Sequence, residues 1–478
     1  MIVIGGGAAG MMAAVAAAEA GASVTLAERN EKLGKKLYIT GKGRCNVTNA
    51  CPPEDFLRQV MRNPRFLFSA LRALPPQALM DKLEAWGCPV MVERGGRVFP
   101  QSEKASDVTR AFERRMESLG VKVLLNTRVR EIVVGDGGSF QFPVPSFQSM
   151  GANDSQGDEQ YDGRCGRRDE SFMPDIADGQ MVTSSMLRDQ RDKRRGDDSK
   201  SCRDSRVAGV LTESGQHLSA GAIVLCTGGK SYASTGSTGD GFALLEACGH
   251  TVLPAKPALI PLCSAEPWVH ALQGLSLKNV RLTLSHGRKA LFSDIGEMLF
   301  THFGFSGPLI LSASSYMADL SLSEVALTLD LKPGLTAEKL DDRLLRDIAE
   351  SGRKQLQTLL CGLLPISLAE MLPALCGLDG RKQASALLRE ERAALIQTIK
   401  ALALPVSGTR PLGEAVITRG GVYVREISPS TMESKRVCGL YVAGELLDMD
   451  ALTGGYNLHI AFCTGYLAGM SAGAGAAR

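Results

Sequence analysis

The feature that most restricts the fold of this chain is a glycine-rich turn near the amino terminus, set between an apolar segment and an alanine-rich one. The apolar segment is Ile2–Ile4, the turn reads GGGAAG over residues 5–10, and residues 11–20 have the composition of a helix. Gly21 ends this helix, and residues 23–26 predict a second strand. A strand, a GxGxxG turn, a helix and a second strand in quick succession predict a βαβ unit of the Rossmann type.

The residues of this unit predict a dinucleotide site. Gly5 permits the tight turn, Gly7 lets the backbone approach a pyrophosphate, and Gly10 permits close packing of the helix on the strand. The first helical turn offers N–H groups and the positive end of the helix dipole to the phosphates. Glu28 ends the second strand, where a carboxylate can bind both hydroxyls of an adenosine ribose and would repel a 2′-phosphate. NADP is therefore disfavoured at this turn.

Two segments far along the chain favour FAD over NAD. The apolar residues 222–225 lead into Cys-Thr-Gly-Gly at 226–229, as in FAD enzymes where the chain passes beneath the dinucleotide. Near the carboxyl terminus a strand leads into Gly444 and Glu445, and a helix starting near Gly455 would point its positive end at the flavin pyrimidine ring. The sequence holds no second GxGxxG, so we expect FAD as the resident cofactor and NADH or NADPH as a transient electron donor.

Composition excludes several classes of protein. Hydrophobic residues make up 44% and charged residues 22%, as in a globular protein, and a net charge of +3 excludes a uniformly cationic surface but not a local basic patch. The 12 cysteines form no CxxC pair and have no zinc spacing with histidine, so we expect reduced thiols and no metal site. The amino terminus lacks the basic segment of a signal peptide, and no stretch resembles a membrane span. We predict a cytoplasmic protein without membrane contact.

The predicted fold is α/β: a discontinuous Rossmann-type FAD-binding domain, like that of glutathione reductase, with an inserted β-rich and helical module. Residues 135–205 have few aliphatic side chains and nearly balanced charges, which is typical of a disordered insertion. Helical periodicity is predicted over residues 336–348, 354–364 and 381–400. The predicted division is FAD-binding parts at 1–134, 206–258 and 411–478, the insertion at 135–205, a β-rich substrate module at 259–335 and a helical module at 336–410.

Six stretches of the sequence carry a resemblance to a known family. They are GKKLYITGKGRCNVTN (34–49), GGRVFPQSEKASDV (95–108), TGGKSYASTGSTGDGFALLEACGH (227–250), GEMLFTHFGFSGP (296–308), TRGGV (418–422) and GLYVAGELLDMDALTGGYNLHIA (439–461). In these stretches the chain resembles the bacterial BaiN-like (YhiN-like) flavoproteins, also called the aminoacetone-oxidase-family FAD-binding proteins. The insertion at 135–205 departs from that resemblance.

The resemblance implies a flavin-dependent reduction. The role best associated with the family is conversion of a uridine of 23S ribosomal RNA to dihydrouridine, by hydride transfer from flavin N5. Bile-acid reduction and amine oxidation are also associated with it. Two alternatives stay open: an NAD(P)H-dependent flavin reductase or oxidase of a small molecule, and a non-catalytic flavin-binding protein. The expected partners are ribosomal RNA and a nicotinamide donor, and the sequence leaves the oligomeric state open.

Saturating the uracil C5–C6 bond also requires a proton donor, and two residues are candidates. Cys45 follows Gly43 and Arg44 in a segment that passes near the isoalloxazine in this fold, and a thiol can act as an acid at neutral pH. His302, in a turn-rich run, is the alternative acid. If neither residue is catalytic, Cys45 is a buried spacer and His302 is a solvated loop histidine. Arg44 is a candidate for a cofactor phosphate or an RNA phosphate.

The remaining candidates form two sets. One set is expected to contact FAD, and the other consists of the basic residues of the helical module. The complete set expected at the cofactor is Gly5, Gly7, Ala8, Ala9, Gly10, Glu28, Arg29, Lys36, Gly43, Arg44, Asn46, Thr227, Gly228, Gly229, Gly444, Glu445, Gly455, Tyr456 and Asn457. For Asn457, capping of the last helix is the alternative. The cations are Arg343, Arg346, Arg353, Lys354, Arg381, Lys382, Arg389 and Arg392. Because acidic residues are interleaved with them, a solvated helix surface is favoured over an RNA-binding face.

Overall fold

The computed structural model describes residues 1–135 and 205–476, so the predicted insertion lies outside the described residues except for its two end positions. The helices are α1 (Ala8–Glu19), α2 (Pro53–Arg58), α3 (Pro64–Ala73), α4 (Pro76–Ala85), α5 (Ala105–Ser118), α6 (Asp240–Ala247), α7 (Pro267–Ala271), α8 (Pro308–Met317), α9 (Ala337–Ser351), α10 (Leu356–Leu360), α11 (Ile366–Leu375), α12 (Arg389–Lys400) and α13 (Tyr456–Ala476).

The strands are β1 (Ile2–Ile4), β2 (Thr25–Ala27), β3 (Thr48–Asn49), β4 (Val90–Val92), β5 (Arg97–Pro100), β6 (Lys122–Leu124), β7 (Val129–Gly135), β8 (Arg206–Thr212), β9 (His217–Ser219), β10 (Ile223–Leu225), β11 (Val252–Ala258), β12 (Leu262–Cys263), β13 (Ser276–His286), β14 (Lys289–Thr301), β15 (Gly304–Ser306), β16 (Val325–Asp330), β17 (Leu402–Leu404), β18 (Gly408–Thr409), β19 (Ile417–Val422) and β20 (Leu440–Val442).

A parallel sheet of order β20-β10-β1-β2-β6 forms the centre of the dinucleotide-binding part. Its strands come from the beginning, the middle and the end of the chain, which confirms the predicted discontinuous α/β architecture. Strands β1, β10 and β20 are buried along their whole length, as expected for a sheet covered on both faces. Because all five strands run the same way, Gly5, Glu28, Cys226 and Ala443 follow their strands at one common edge.

Helix α1 packs backbone to backbone against the carboxyl-terminal helix α13. A Cβ placed on Gly465 would lie 2.2 Å from the carbonyl oxygen of Ala9, and one on Gly469 would lie 2.3 Å from that of Ala13. Small residues at these positions permit the close approach, and this explains why α1 is rich in alanine and buried on almost every side. The amino-terminal and carboxyl-terminal parts of the chain therefore share one core.

The second architectural unit is an antiparallel sheet of order β17-β16-β13-β14-β15-β12-β18 with helices α9–α12 packed on it. Leu327 and Leu329 of β16 share a buried cluster with Leu340, Leu368 and Leu395 of the helices. Strands β17 and β18 follow the last of these helices and rejoin the sheet, so residues 402–409 belong to the sheet although they were predicted with the helical module.

The helix predicted over residues 381–400 is shorter than expected. Helix α12 begins only at Arg389, because Gln383 pairs with Gln355 and the residues Ala384–Ala386 form a separate 3-10 turn. Helix α9 extends to Ser351, a little beyond the predicted end. Tertiary pairing here overrides a sequence periodicity that suits a helix.

Two antiparallel strand pairs connect distant parts of the chain. Strands β11 and β19 pair antiparallel and join the two units. Strands β7 and β8 form an antiparallel pair in which Gly135 lies opposite Arg206, so the two ends of the insertion are neighbours. None of the helices in the described ranges combines the length and the apolar composition of a membrane span.

Candidate functional site

The glycine-rich turn is closed on the side of the sheet and open at the start of α1. A Cβ on Gly10 would lie 1.8 Å from the Gly5 carbonyl oxygen, and one on Gly5 would lie 2.6 Å from that of Cys226. A Cβ on Gly7 would meet no atom within 4 Å, and no side chain caps the helix that starts at Ala8. The N–H groups of the first helical turn, which includes Ala8 and Ala9, have no partner within the helix. The turn therefore has the space and the donors that a pyrophosphate requires.

Glu28 fixes this turn to the end of β2. One carboxylate oxygen accepts the N–H of Gly6 at 2.6 Å, and the other accepts the backbone and side-chain N–H groups of Asn30 at 2.8 and 2.6 Å. The residue is only 6% exposed. Its neighbour Arg29 donates to Thr238 and pairs with Asp240 across the start of α6. Glu28 and Arg29 thus both bond protein groups, and their contact with the cofactor stays a prediction.

Thr227 supplies a second sign of a polar ligand beside the turn. Its hydroxyl oxygen is buried and has no hydrogen-bond partner among the described residues. A Cβ on Gly241 would lie 2.0 Å from this hydroxyl oxygen. Gly228, the next residue in the chain, has a φ of +76°. A buried hydroxyl without a hydrogen-bond partner destabilises the fold, and a cofactor oxygen would supply that partner. Together with the opening at Gly7, this residue fits the binding of a dinucleotide.

A buried polar cluster joins three distant parts of the chain at the same edge of the sheet. Lys36 donates to Glu445 and to Ser231, both at 2.7 Å. The second carboxylate oxygen of Glu445 accepts from the Ser231 hydroxyl at 2.9 Å and from the Thr418 backbone at 2.8 Å. A Cβ on Gly229 would lie 2.4 Å from the Thr418 hydroxyl. The structure thus brings together the predicted residues Lys36, Gly229 and Glu445, and it adds Ser231 and Thr418.

Gly444, immediately before this glutamate, lies against the first helix. Its φ is +75°, and a Cβ there would come within 2.9 Å of the Ala9 Cβ. Its N–H donates to the buried hydroxyl of Thr464 on α13. The turn after β20 is therefore held close to the glycine-rich turn after β1.

The start of α13 is pinned to the segment that contains Asn46. Gly455, with a φ of +99°, leaves no room for a side chain, because a Cβ would lie 2.3 Å from the Thr48 carbonyl oxygen. Asn46 accepts the N–H of Val98, and Asn49 donates to the carbonyl of Gly454. This contact fixes the amino end of α13, which carries the positive end of its dipole, beside the segment predicted to pass the flavin.

The two residues that follow Gly455 mainly contact protein. The Tyr456 ring meets Phe56 edge to face at 5.0 Å, and burial raises the pKa of its hydroxyl to about 12. Asn457 accepts the N–H of Ala451 and donates to the carbonyl of the same residue. It is the second residue of α13, so it holds the preceding loop and is not the cap of the helix.

Cys45 lies in a left-handed backbone conformation, with a φ of +61°, at the end of the loop that contains Gly43. Its side chain is fully buried, and this burial raises the pKa of the thiol to about 12. Arg44 beside it pairs with Glu93 at 2.7 Å and with Glu103 at 3.0 Å. The thiol therefore keeps its proton across the neutral range, and the guanidinium is held by two carboxylates.

His302 lies on the other unit, in the exposed turn between β14 and β15. Its ring is 5.0 Å from that of Phe303, on which the guanidinium of Arg410 also stacks at 4.8 Å. Arg410 pairs with Glu414, and the N–H of Tyr232 in the dinucleotide-binding part donates to the neighbouring carbonyl of Gly413. This turn thus lies near a contact between the two units. No described contact joins His302 to Cys45.

Several residues at the site were not predicted from the sequence. Ser231 and Thr418 hold Glu445, Asn30 holds Glu28, and buried His459 bridges Thr48 and the Leu74 carbonyl. Ser231 and Thr418 do lie in or beside stretches that carry the family resemblance, which was the available signal. In the described ranges no group of three or more His, Cys, Asp or Glu side chains is arranged to hold a metal ion.

Comparison with known proteins identifies the family. The model of the HI0933-like protein Rossmann domain matches residues 1–154, and that of the HI0933-like protein barrel and H2TH domain matches residues 256–417. The chain belongs to the HI0933-like family. The resemblance stated from the sequence and the predicted fold class are confirmed.

Three curated relatives of this HI0933-like chain align almost end to end. The chain is 28% identical to a 3-dehydro-bile acid delta(4,6)-reductase of Clostridium scindens over 98% of both proteins. It is 27% identical to the ribosomal RNA dihydrouridine synthase of Haemophilus influenzae, with 98% of this chain and 97% of the relative covered. The ribosomal RNA dihydrouridine synthase of Escherichia coli is 26% identical, with 97% and 96% covered. The prediction of an enzyme of the FAD-dependent oxidoreductase class is confirmed.

Proposed function

We propose that this HI0933-like protein is an FAD-dependent reductase that converts a uridine of 23S ribosomal RNA to dihydrouridine. FAD binding is supported above all by the opening at Gly7, where the first turn of α1 presents N–H groups to free space. The buried hydroxyl of Thr227 and the cluster around Glu445 support the same placement. The substrate part is supported by two relatives named as ribosomal RNA dihydrouridine synthases.

The names of the relatives point to one kind of chemistry. A dihydrouridine synthase saturates the C5–C6 bond of uracil, and the delta(4,6)-reductase acts on a 3-dehydro bile acid. In both substrates the reacting double bond is conjugated to a carbonyl group. FAD, when bound, supplies the hydride, which we expect to come in turn from NADH or NADPH. For uridine, the protein must therefore orient the ring and deliver a proton to uracil C5, the carbon next to the C4 carbonyl.

Cys45 and His302 remain the two candidates for this proton transfer. The raised pKa of Cys45 keeps the thiol protonated at neutral pH, so it can act only as an acid there. Because its side chain is fully buried, substrate can reach the thiol only if the residues around it move. His302 is exposed and needs no such opening. We favour Cys45, because the segment that follows it contacts the start of α13 through Thr48 and Asn49, on the dinucleotide-binding side.

The second candidate function is reduction of a small molecule that carries a carbonyl-conjugated double bond. The end-to-end alignment with the Clostridium scindens reductase supports it as strongly as the synthase alignments support RNA.

The experiment that separates these functions is mass spectrometry of 23S ribosomal RNA from a strain in which the chromosomal copy is deleted. We expect one dihydrouridine to be missing and to return when the wild-type protein is supplied. The Gly7→Val variant, which should lack FAD, is the matched control and should not restore it. An unchanged RNA from the deletion strain would reject the ribosomal RNA substrate and leave the small-molecule reduction.

A further inference from the structure

The helical module contains a short antiparallel bridge that the sequence did not predict. Residues 352–357 run beside residues 380–385, with Gln355 opposite Gln383. The N–H of Leu356 donates to the Lys382 carbonyl at 2.8 Å, and the N–H of Ala384 donates to the Lys354 carbonyl at 3.0 Å. These bonds hold the segments before α10 and α12 in one fixed register.

The two faces of this bridge differ sharply. Leu356 and Ala384 point inward, and each is 1% exposed. The outward set is exposed and consists of two arginines, two glutamines and a serine: Arg353, Gln355, Arg381, Gln383 and Ser385. We call these five residues the outer bridge face. It presents hydrogen-bond donors and contains no carboxylate.

Ion pairing separates the basic residues of the module into two groups. Arg343 pairs with Asp347, Lys382 with Glu391, and Arg392 with Asp341. The others have no carboxylate within ion-pair distance in the described ranges, and they are Arg346, Arg353, Lys354, Arg381 and Arg389. Both arginines of the outer bridge face therefore belong to the group without ion pairs.

The acidic residues nearest to this face are occupied by other groups. Asp379 accepts the N–H of Arg381 at 2.9 Å, so its charge faces the backbone of the turn. Glu391 accepts from Lys382 and from the N–H of Leu388. Glu391 and Asp341, two of the acidic residues interleaved with the cations, are thus paired with Lys382 and Arg392 and not with Arg353 or Arg381.

We propose that the outer bridge face binds the phosphate backbone of the ribosomal RNA substrate. This inference rests on the proposed function and adds to it the surface by which the RNA is held. Guanidinium groups suit phosphate oxygens because they present paired donors in a plane, and unpaired guanidinium groups are free to do so. The glutamine amides and the Ser385 hydroxyl can donate to sugar and base oxygens between two phosphates.

The test measures binding of the FAD-loaded, full-length protein to an unmodified transcript of the 23S ribosomal RNA region. Fluorescence anisotropy at several salt concentrations gives both the affinity and its salt dependence. The variant is Arg353→Glu/Arg381→Glu. The matched control is Lys122→Glu/Arg130→Glu, which makes the same change of net charge at two exposed positions on β6 and β7. FAD content reports whether each variant is folded.

We expect the bridge variant to bind the transcript at least about tenfold more weakly than the control. Loss of two phosphate contacts should also reduce the slope of log affinity against log salt by roughly 1.5. The neutral variant Arg353→Gln/Arg381→Gln should show the same reduction of the slope. If charge reversal lowers FAD content, the neutral variant is compared with the control in its place. Bridge variants that bind like the control would overturn this surface but not the function. Absence of salt-dependent binding by the wild-type protein would overturn both.

Discussion

The ammonium of Lys36 lies 2.7 Å from the carboxylate of Glu445, a residue 409 positions later in the chain. Ser231, from the middle of the chain, hydrogen-bonds to both groups. Each of these residues comes from a different part of the discontinuous dinucleotide-binding unit. The pair therefore ties the three parts together at the edge of the sheet where the cofactor is expected.

Removing the ion pair between Lys36 and Glu445 should weaken FAD binding. Glu445→Gln removes the negative charge that pairs with Lys36 and leaves a partly buried ammonium without a counter-charge, so we expect the dissociation constant of FAD to rise at least about tenfold. In a double-mutant cycle, Lys36→Met/Glu445→Gln should lose less affinity than the sum of the two single variants. Isothermal titration of the apoprotein with FAD measures all four affinities. Fully additive losses would show that the pair is not coupled at the cofactor.

Two glycines of the same turn should respond differently to substitution. Gly7→Val finds open space, so the protein should fold with an ordinary melting temperature but release its FAD, because the side chain occupies the pyrophosphate position. Gly10→Val should fail to fold, because its Cβ would collide with the Gly5 carbonyl. Visible absorbance and thermal unfolding measure the two effects. Full FAD occupancy in Gly7→Val would contradict the placement of the pyrophosphate.

Replacing residues 136–204 with a tight turn of about four residues should leave the protein intact. Gly135 and Arg206 are opposite each other in an antiparallel pair, so such a turn can connect the two strands. Because the replaced sequence has few aliphatic residues, we expect the core of the described residues not to depend on it. We expect unchanged FAD content and a melting temperature within about 2 °C of wild type. A large loss of either would show that the segment packs on the core.

His459 should make the fold less stable as the pH falls from about 6.5 to about 4. Burial lowers the pKa of this imidazole to about 4, although the hydrogen bond that Nε2 donates to the Leu74 carbonyl acts in the opposite direction. The unfolded chain binds a proton in this window and the folded chain does not, so the free energy of unfolding decreases by roughly 3 kcal/mol across it. Chemical denaturation from pH 7 to pH 4 measures the slope.

The slope should be smaller in His459→Gln than in wild type. Equal slopes in the two proteins would show that His459 is not the group that titrates.

The two proton-donor candidates can be separated by half-reaction kinetics. Cys45→Ala should keep bound FAD and its reduction by a nicotinamide donor, while reoxidation by substrate should slow by roughly two to four orders of magnitude. Because the thiol pKa is raised to about 12, the wild-type reoxidation rate should show no thiol ionisation up to about pH 10. Normal turnover in Cys45→Ala with loss in His302→Ala would make His302 the acid. Loss of FAD from Cys45→Ala would make its role structural.

The local elements could be predicted from the sequence, because their signals lie within a few residues. The βαβ unit around Gly5–Gly7–Gly10 and the helices of the module followed from spacing and composition. What could not be predicted depends on contacts between distant segments. Helix α12 starts late because residues 380–385 pair with residues near Gln355, and no periodicity within either segment records that pairing.

The candidate site shows the same division. Glu28 and Glu445 were predicted because each follows an apolar strand, but the partners that orient them were not. Ser231 and Thr418 reach Glu445 only because β10, β19 and β20 meet in space. The full burial of Cys45 and the ion pairs of Arg44 were likewise not evident, since both depend on packing by β5 and its neighbours.

The most direct test of the central claim is a single turnover of the reduced, FAD-loaded protein under anaerobic conditions. The protein is mixed in parallel with unmodified 23S ribosomal RNA and with a 3-dehydro bile acid that carries the conjugated double bonds, and flavin absorbance is followed with mass spectrometry of each product. The account predicts that the RNA reoxidises the flavin and that one uridine gains two hydrogens, whereas the bile acid reacts far more slowly. Reoxidation by the bile acid with an unchanged RNA would contradict it.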